Sequence, residues 1–144
     1  MSSTNTNDPH PSQYPNTFYR VSVKAIIRDN EGRILVNKEG SSSSWGLPGG
    51  GWDHGETERE ALARELEEEI GYTGHLTLQL RQTAVFWLES KHAWLLWIVY
   101  DVKVDSHNFS TGKHSSEVAF IDPASLNNST SFEEQWIYEN LLKE

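Results

Sequence analysis

A 23-residue segment, Gly50–Tyr72, constrains the fold and the chemistry of this chain more than any other part of the sequence. It reads GGWDHGETEREALARELEEEIGY and leads from a glycine-rich turn into a run of Ala, Leu, Glu and Arg, which favour helices. Thr57 followed by Glu60 predicts a capping box at the start of this helix, and Gly71 predicts its end. The segment is therefore predicted to form a turn and then a helix over Thr57–Ile70.

Three glutamates of the predicted helix share one face. At about 100° per residue, Glu65, Glu68 and Glu69 fall together. The apolar residues form a separate stripe, which should pack against a sheet: Leu62, Ala63, Leu66 and Ile70. Clustered carboxylates repel one another, and this raises their pKa values unless a cation is present. Mg²⁺ prefers oxygen ligands and joins carboxylates to waters and substrate phosphates. The helix therefore predicts a divalent-metal site, and a solvated acidic face is the alternative.

Three consecutive glycines, Gly49–Gly51, precede the helix. Glycine permits positive φ angles and a close approach of the backbone to a ligand. A simple turn between a strand and a helix is the alternative interpretation. The two agree, because such a turn brings a backbone carbonyl toward a metal held by the helix.

The spacing of these residues resembles the Nudix box. The match rests on seven residues: Gly50, Glu56, Arg64, Glu65, Glu68, Glu69 and Gly71. Tyr72 departs from the pattern, since the family usually has an aliphatic residue there. A looser resemblance covers about Tyr19–Leu126 and includes the Trp-Gly-Leu-Pro-Gly-Gly approach that begins at Trp45. Members of this family hydrolyse nucleoside diphosphates linked to another group and use a divalent metal.

The resemblance implies an α/β fold, a Nudix-type α/β/α sandwich with a mixed β-sheet. It also implies a site for Mg²⁺, with Mn²⁺ as a substitute. The implied metal ligands are the carbonyl of Gly50 and the carboxylates of Glu65, Glu68, Glu69 and Glu117. Arg64 and Glu56 complete the catalytic set, because the arginine braces Glu56 and orients the ligand carboxylates. One ligand glutamate, or Glu117, would take the proton of the attacking water. For Glu117 the alternative is a solvent-facing residue at the start of a strand.

Four residues are candidates for substrate binding: Lys38, Trp45, Phe86 and Trp87. Family members use the region of Trp45 near the substrate, so its indole is expected to stack on a base or a ribose, with structural packing as the alternative. Phe86 and Trp87 adjoin a polar turn and are expected in a pocket wall, whereas Trp97 is expected in the core. Lys38 is expected to contact phosphate or to lie on the surface.

The rest of the pattern fits one domain. Residues 1–16 are rich in Ser, Asn and Pro and are predicted to be a disordered tail, which leaves residues 17–144 as the Nudix hydrolase domain. A hairpin is predicted from two strands, Arg20–Ile27 and Arg33–Asn37. The other predicted elements are strands over Leu76–Val85, Ala93–Val104 and Glu117–Ile121, and an amphipathic helix over Ser131–Lys143. Glu133 and Glu134 of this helix are weaker candidates than Glu117 for an acidic group near the metal, and a position on the helix surface is the favoured alternative.

Composition excludes several classes of protein. The chain has no cysteine, which rules out disulfides and thiol catalysis and argues against the isoprenoid diphosphate isomerases that share this fold. No apolar run of membrane-spanning length and no secretory signal occur, so a cytoplasmic location without a membrane partner is expected. The net charge of −9 makes nucleic acid an unlikely partner, since binders of DNA and RNA carry basic surfaces. A homodimer is a further expectation, because dimers are common in the family.

The predicted function is a metal-dependent pyrophosphohydrolase that cleaves a nucleoside diphosphate linked to another moiety by attack of water at phosphorus. The other moiety is left open among nucleotides, nucleotide sugars and dinucleotides. No proline lies between Pro48 and Pro123, so the proline that marks many ADP-ribose hydrolases is missing. Two alternatives remain: a catalytically silent nucleotide sensor with the same fold, and an acidic interaction module without a ligand.

Overall fold

Six strands and two α-helices form the part of the chain that the computed structural model describes, residues 18–142. The predicted tail over residues 1–16 lies outside the described residues. In chain order the elements are β1 Tyr19–Ile26, β2 Ile34–Glu39, β3 Gly49–Gly51, α1 Glu58–Ile70, β4 Leu76–Leu88, β5 Ala93–Val104, β6 Ser115–Ile121 and α2 Phe132–Leu141, with short 3-10 turns at Glu89–Lys91 and Pro123–Leu126.

Four strands form a mixed sheet in the order β3-β1-β5-β4. β1 pairs antiparallel with β3 and parallel with β5, and β4 pairs antiparallel with β5. A second, two-stranded sheet pairs β2 antiparallel with β6. The predicted mixed sheet is confirmed.

The predicted hairpin of the first two strands forms only at its turn. β1 and β2 lie in different sheets, and the segment between them is tied only locally, by a bridge of Arg28 to Ile34 and by Leu35 N donating to Ile27 O over 2.9 Å. The physical reason is competition for edges. β1 has a partner on each side, so no free edge is left for β2, which pairs with β6 instead.

The two helices cover opposite faces of the four-stranded sheet. On one face the apolar stripe of α1, which includes Leu62 and Leu66, packs with Val23 and Tyr100. On the other face Ile137 of α2 packs with the core residues of β5, and Trp97 is buried there as predicted. The arrangement is the predicted α/β/α sandwich. The stripe of α1 differs at one position, because Ala61 is buried and Ala63 is exposed.

Candidate active site

Helix α1 begins and ends as the sequence predicts. Thr57 accepts a hydrogen bond from the backbone N of Glu60, whose side chain accepts one from the backbone N of Thr57, and this forms the capping box. Gly71 adopts a left-handed conformation with φ 66° at the other end. The two caps fix where the helix begins and ends. Glu65, Glu68 and Glu69, on one face of this helix, line one cavity together with the turn at Gly49–Gly51. We call this the carboxylate cavity.

Arg64 holds the carboxylate cavity together from one side. Its Nε and Nη2 donate to the two carboxylate oxygens of Glu56, each over 2.8 Å. Nη2 also donates to the carbonyl of Gly51 over 2.9 Å, and Nη1 donates to Glu65 over 2.8 Å. Because the guanidinium stays beside Glu56, the pKa of that carboxyl is lowered. One planar group therefore joins the glycine turn, the loop before α1 and the first glutamate of the cavity.

Glu69 is the most deeply buried of the three glutamates, with 3% of the residue exposed. Its Oε2 accepts a hydrogen bond of 2.7 Å from Nδ2 of Asn37 on β2. Burial raises the pKa of Glu69 to about 8, against the opposing effects of Lys24 and the Asn37 hydrogen bond. A buried carboxylate of this kind is stabilised by a cation that approaches it.

The donors of the carboxylate cavity fit a hard divalent cation. Gly50 lies so close to Glu65 that a Cβ at this glycine would sit 2.6 Å from Oε2 of the glutamate, and the backbone thus comes directly against a carboxylate. Within residues 18–142 no three acidic or histidine side chains are already gathered around one point. Glu65 faces Arg64, Glu69 faces Asn37, and Glu68 lies 3.5 Å from Nδ1 of His114. The oxygen ligands are those that Mg²⁺ prefers, and side-chain rotation is needed to bring them together.

A pair of glycine substitutions tests this close approach. Gly50→Ala is expected to displace the Glu65 carboxylate and to weaken Mg²⁺ binding by about tenfold or more, because ligands must keep their geometry. Gly51→Ala is the matched control, since the nearest atom to its Cβ would be a guanidinium nitrogen of Arg20 at 3.9 Å. Titration calorimetry with Mg²⁺ at constant ionic strength measures both. Equal affinities in the two variants would show that Gly50 has no part in the site.

The raised pKa of Glu69 predicts how metal binding depends on pH. The folded, metal-free protein holds a proton on Glu69 up to about pH 8, whereas the unfolded chain releases it near the usual value of about 4.3. The protonated Glu69 therefore contributes fully to the free energy of unfolding below the pKa of the unfolded chain. This contribution is lost as the pH rises through the pKa of Glu69 in the folded protein. A cation needs the ionised carboxylate, so Mg²⁺ affinity should rise by up to about tenfold per pH unit from pH 6 to 8. Calorimetry across this range measures the slope, Glu69→Gln should flatten it, and a flat wild-type profile would contradict the prediction.

A cleft of about 630 Å³ adjoins the carboxylate cavity, and Trp45 and Trp87 are in its lining. Phe86 is not in this lining and lies on the opposite face of β4 from Trp87, because neighbouring residues of a strand alternate between faces. It packs in the core against Trp97 at 4.7 Å and Phe132 at 5.2 Å, measured between ring centroids. The structure therefore separates the two aromatic residues that the sequence placed together in a pocket wall. Trp87 remains a candidate for substrate contact, and Phe86 supports the cleft from behind.

Lys38 and Glu117 lie outside both the cleft and the carboxylate cavity. They face each other across β2 and β6, with Nζ 3.4 Å from Oε2, and the Glu117 side chain is 57% exposed. Lys38 Nζ also lies 4.4 Å from the centroid of the Trp45 ring. The pairing of β6 with β2 places Glu117 at this position, which agrees with the solvent-facing alternative. Lys38 is close to the substrate cleft only through Trp45.

Several site residues were not assigned to the site from the sequence. Lys24 is 8% exposed and donates to the carbonyls of Leu47 and Gly49, where it borders both the cleft and the carboxylate cavity. A lysine inside a strand buried on both faces is a sequence signal that would have found it. Asn37 carried no such signal, because only the pairing of β2 brings it to Glu69.

Glu133 and Glu134 do not lie on an exposed helix surface. Glu134 accepts a hydrogen bond of 2.7 Å from the backbone N of Trp45 and thereby ties α2 to the loop before the glycine turn. Glu133 lines the cleft, and its buried Oε2 has no hydrogen-bond partner among the described residues. A side chain at Gly46 would collide with this oxygen. The first turn of α2 therefore belongs to the wall of the site.

The described structure defines an α/β/α sandwich with an acidic cavity between a glycine turn and a capped helix. The model of the NUDIX domain matches residues 18–141, and the chain therefore belongs to the Nudix family, as the sequence predicted. Neither α-helix in residues 18–142 is long and apolar enough to cross a membrane.

Two curated relatives each match about half of this chain or less. An RNA pyrophosphohydrolase of Vibrio vulnificus strain YJ016 is 38% identical over 73 residues, which cover 51% of this chain and 42% of that protein. An RNA pyrophosphohydrolase of Ruthia magnifica subsp. Calyptogena magnifica is 47% identical over 53 residues, covering 37% of this chain and 30% of that protein. The matched regions span less than half the length of these relatives.

Solved structures show the same fold over most of the chain. A MutT NUDIX hydrolase from Burkholderia pseudomallei superposes with a TM-score of 0.71 at 24% identity, covering 85% of this chain and 97% of that one. An Ap4A hydrolase from C. elegans superposes with a TM-score of 0.66 at 19% identity, covering 83% and 93%. At these identities the likeness establishes the fold.

Proposed function

We propose that this protein is a metal-dependent pyrophosphohydrolase that cleaves a nucleoside diphosphate linked to another moiety. The observation that carries the proposal is the carboxylate cavity, in which Glu65, Glu68 and Glu69 of one capped helix meet a glycine turn that Arg64 holds in place. A solvated acidic face would leave these side chains in water, but Glu69 is buried and Glu65 accepts a hydrogen bond from Arg64. Membership of the Nudix family supports the same reaction.

The metal ligands in this proposal are Glu65, Glu68, Glu69 and the carbonyl of Gly50. A bound Mg²⁺, or Mn²⁺ in its place, supplies charge neutralisation for the diphosphate and lowers the pKa of a coordinated water. Arg64 orients Glu65 through its 2.8 Å hydrogen bond and holds the glycine turn against the helix through Gly51. We exclude Glu117 from the ligand set because of its position opposite Lys38.

The carboxylates also provide the base. The attacking water gives its proton to Glu65, Glu68 or Glu69, the α1 glutamates that line the carboxylate cavity together with Glu39 and Glu133. Attack at phosphorus breaks one anhydride bond, and the leaving phosphate takes its electron pair. Lys24, at the junction of the cleft and the carboxylate cavity, places a positive charge where the phosphate chain passes between them. This charge offsets part of the repulsion that a net charge of −9 exerts on an anionic substrate.

The cleft holds the nucleoside in this proposal. Trp45 and Trp87, which line the cleft, are the candidates for stacking on the base. The relatives named as RNA pyrophosphohydrolases make a 5′-phosphorylated RNA end a second substrate to test beside small nucleotides. A cytoplasmic location and a homodimer stay predictions.

A product assay over a substrate panel tests the proposed function. The panel contains nucleoside triphosphates, ADP-ribose, dinucleoside polyphosphates, nucleotide sugars and a 5′-triphosphorylated RNA, each with Mg²⁺, with Mn²⁺ and with chelator. Release of phosphorylated products that requires metal is expected for one class. Metal binding without turnover across the panel would favour the nucleotide sensor, and absence of specific metal binding would favour the acidic module.

A further inference from the structure

The segment that joins β5 to β6, residues 105–114, contacts the end of α1, and we call it the β5–β6 loop. The last four carbonyl groups of an α-helix have no partner within the helix and need one outside it. The carbonyl of Glu68 accepts two hydrogen bonds from this loop, over 2.7 Å from the backbone N of Lys113 and over 3.1 Å from that of His114. The loop therefore completes the hydrogen bonding of the last turn of α1.

Two further contacts bring the loop against the backbone of α1. The backbone N of Ser110 donates to the carbonyl of Ile70 over 3.0 Å. Gly112 has a positive φ of 53° and lies so close to the helix that a Cβ at this position would collide with the carbonyl oxygen of Glu68. Glycine suits this position because it combines a left-handed backbone with a close approach. The loop is thus fitted to the end of the helix at several points.

Tyr72 connects the start of the β5–β6 loop to the core. It is the position at which the sequence departs from the Nudix box, where an aliphatic residue is usual. Its hydroxyl donates to the carbonyl of His75 and accepts a hydrogen bond of 3.1 Å from the backbone N of Asp105. Its ring lies 6.0 Å from that of Phe109, which packs against the same core cluster. An aliphatic side chain would supply the packing but not the hydroxyl, so the departure adds a contact with the loop.

The last turn of α1 carries Glu68 and Glu69, two of the proposed metal ligands. Helix ends fray, so ligands in a last turn lose their geometry more readily than ligands in the middle of a helix. The hydrogen bonds to the Glu68 carbonyl oppose fraying at the residue that bears a ligand carboxylate. The loop also places Nδ1 of His114 3.5 Å from Oε2 of Glu68. It therefore contacts Glu68 at both the backbone and the side chain.

We propose that the β5–β6 loop positions the metal ligands at the end of α1, with Tyr72 and Gly112 as its positioning residues. Both lie outside the carboxylate cavity and act through the backbone of Glu68. Gly112 contacts this backbone directly, and Tyr72 holds the start of the loop. The inference rests on the proposed function, because it takes Glu68 as a metal ligand. Coupling between two sites is reciprocal, so a loop that favours bound Mg²⁺ is itself stabilised by Mg²⁺.

Titration calorimetry with Mg²⁺ at constant ionic strength tests the role of Gly112. Gly112→Ala is expected to weaken Mg²⁺ binding by about tenfold or more, the usual cost of losing a group that orients a ligand. Gly32→Ala is the matched control. Gly32 also has a positive φ, of 78°, but a Cβ there would meet no atom of the described residues within 4 Å. Both substitutions strain the backbone, so the contact with Glu68 is what distinguishes them.

Tyr72→Phe tests the same inference with a smaller change, and it decides the outcome if Gly112→Ala does not fold. It keeps the ring in the core and removes the hydroxyl. Mg²⁺ binding is expected to weaken by about fivefold, the factor that corresponds to one ordinary hydrogen bond. Tyr100→Phe is the control, since Tyr100 belongs to the same core cluster but donates to Glu58 over 2.7 Å in the first turn of α1. It should leave Mg²⁺ affinity unchanged.

Hydrogen exchange measures the reciprocal effect on the loop. The backbone amides of Lys113 and His114 should exchange more slowly when Mg²⁺ is bound, and Tyr72→Phe should reduce this protection. The amide of Gly32, which donates to the carbonyl of Asp29 over 3.1 Å, is the control and should not change. A loop with only a structural role would exchange at the same rate with and without Mg²⁺.

The outcomes separate this inference from the proposed function. Unchanged Mg²⁺ affinity in Tyr72→Phe and Gly112→Ala would overturn the inference, as would equal losses in Gly112→Ala and Gly32→Ala. If turnover occurs in the substrate panel at the same time, the hydrolase proposal stands and only the role of the loop is removed. Weaker Mg²⁺ binding in the variants without turnover of any compound keeps the role of the loop and favours the nucleotide sensor. A wild type that binds no Mg²⁺ would overturn both.

Discussion

Glu68→Gln and Glu69→Gln are each expected to lower turnover by about 10²–10⁴-fold, the range that a positioned acid–base or metal-bound group contributes. Glutamine keeps the shape of the side chain but removes the charge that a divalent cation requires. Glu69→Gln retains an oxygen that accepts the hydrogen bond from Asn37, so the fold should survive. Steady-state kinetics with the substrate found in the panel measures the loss, and thermal unfolding confirms that each variant is folded.

Glu67→Gln is the matched control for these two variants. Glu67 lies on the same helix but on an exposed face, outside the carboxylate cavity. Its substitution should leave turnover within about twofold, as expected for a surface change. Near-normal turnover in both Glu68→Gln and Glu69→Gln would refute the assignment of this helix face to catalysis. A similar loss in all three variants would indicate that the net charge of the helix matters instead.

Arg64→Lys is expected to lower turnover by about 10–100-fold, the usual cost of losing a partner that orients metal ligands. Lysine keeps the charge but cannot reproduce the planar fork that reaches Glu56, Glu65 and the carbonyl of Gly51 together. Gly51 and Glu65 then lose the hydrogen bonds from Arg64 that connect them. Kinetics, Mg²⁺ titration and melting temperature should all change, because the same contacts support both the site and the local fold.

Arg33→Lys supplies the comparison for Arg64→Lys. Arg33 forms an ion pair of 2.6 Å with Asp29 in an exposed turn that precedes the segment Gly50–Tyr72. A surface ion pair of this kind contributes little, so turnover and metal affinity should not change. If Arg64→Lys behaves like Arg33→Lys, the guanidinium contributes charge alone and the bracing role is wrong.

Local residue patterns predicted helix α1, its two caps and its shared carboxylate face correctly. The capping box at Thr57, the end of α1 at Gly71 and the shared face of Glu65, Glu68 and Glu69 all depend on contacts within one helical segment. Such contacts repeat with the period of the helix and do not depend on the rest of the molecule. The long strand Ala93–Val104 was predictable for a related reason, since its apolar run lies between two other strands of the sheet.

Residues that meet across long stretches of chain were predicted poorly. Phe86 and Trp87 were expected together in a pocket wall, but Phe86 packs against Trp97 and Phe132 while Trp87 lines the cleft. Glu117 was expected near the metal from the family resemblance, yet the pairing of β6 with β2 places it opposite Lys38. Glu133 was expected on the helix surface, but the packing of α2 against the rest of the domain places it in the lining of the cleft.

By itself the sequence determined the Nudix family, the capped helix and the carboxylate face, because short-range spacing and helical periodicity specify them. Only the tertiary structure decided which strands pair, and hence that Lys24 and Asn37 line the cleft while Glu117 lies opposite Lys38. It also decided that a cavity lined by Tyr19 and Arg20 borders the carboxylate cavity. The physical reason is that strand pairing depends on competition among edges that are distant in sequence, and no local pattern records which edge wins.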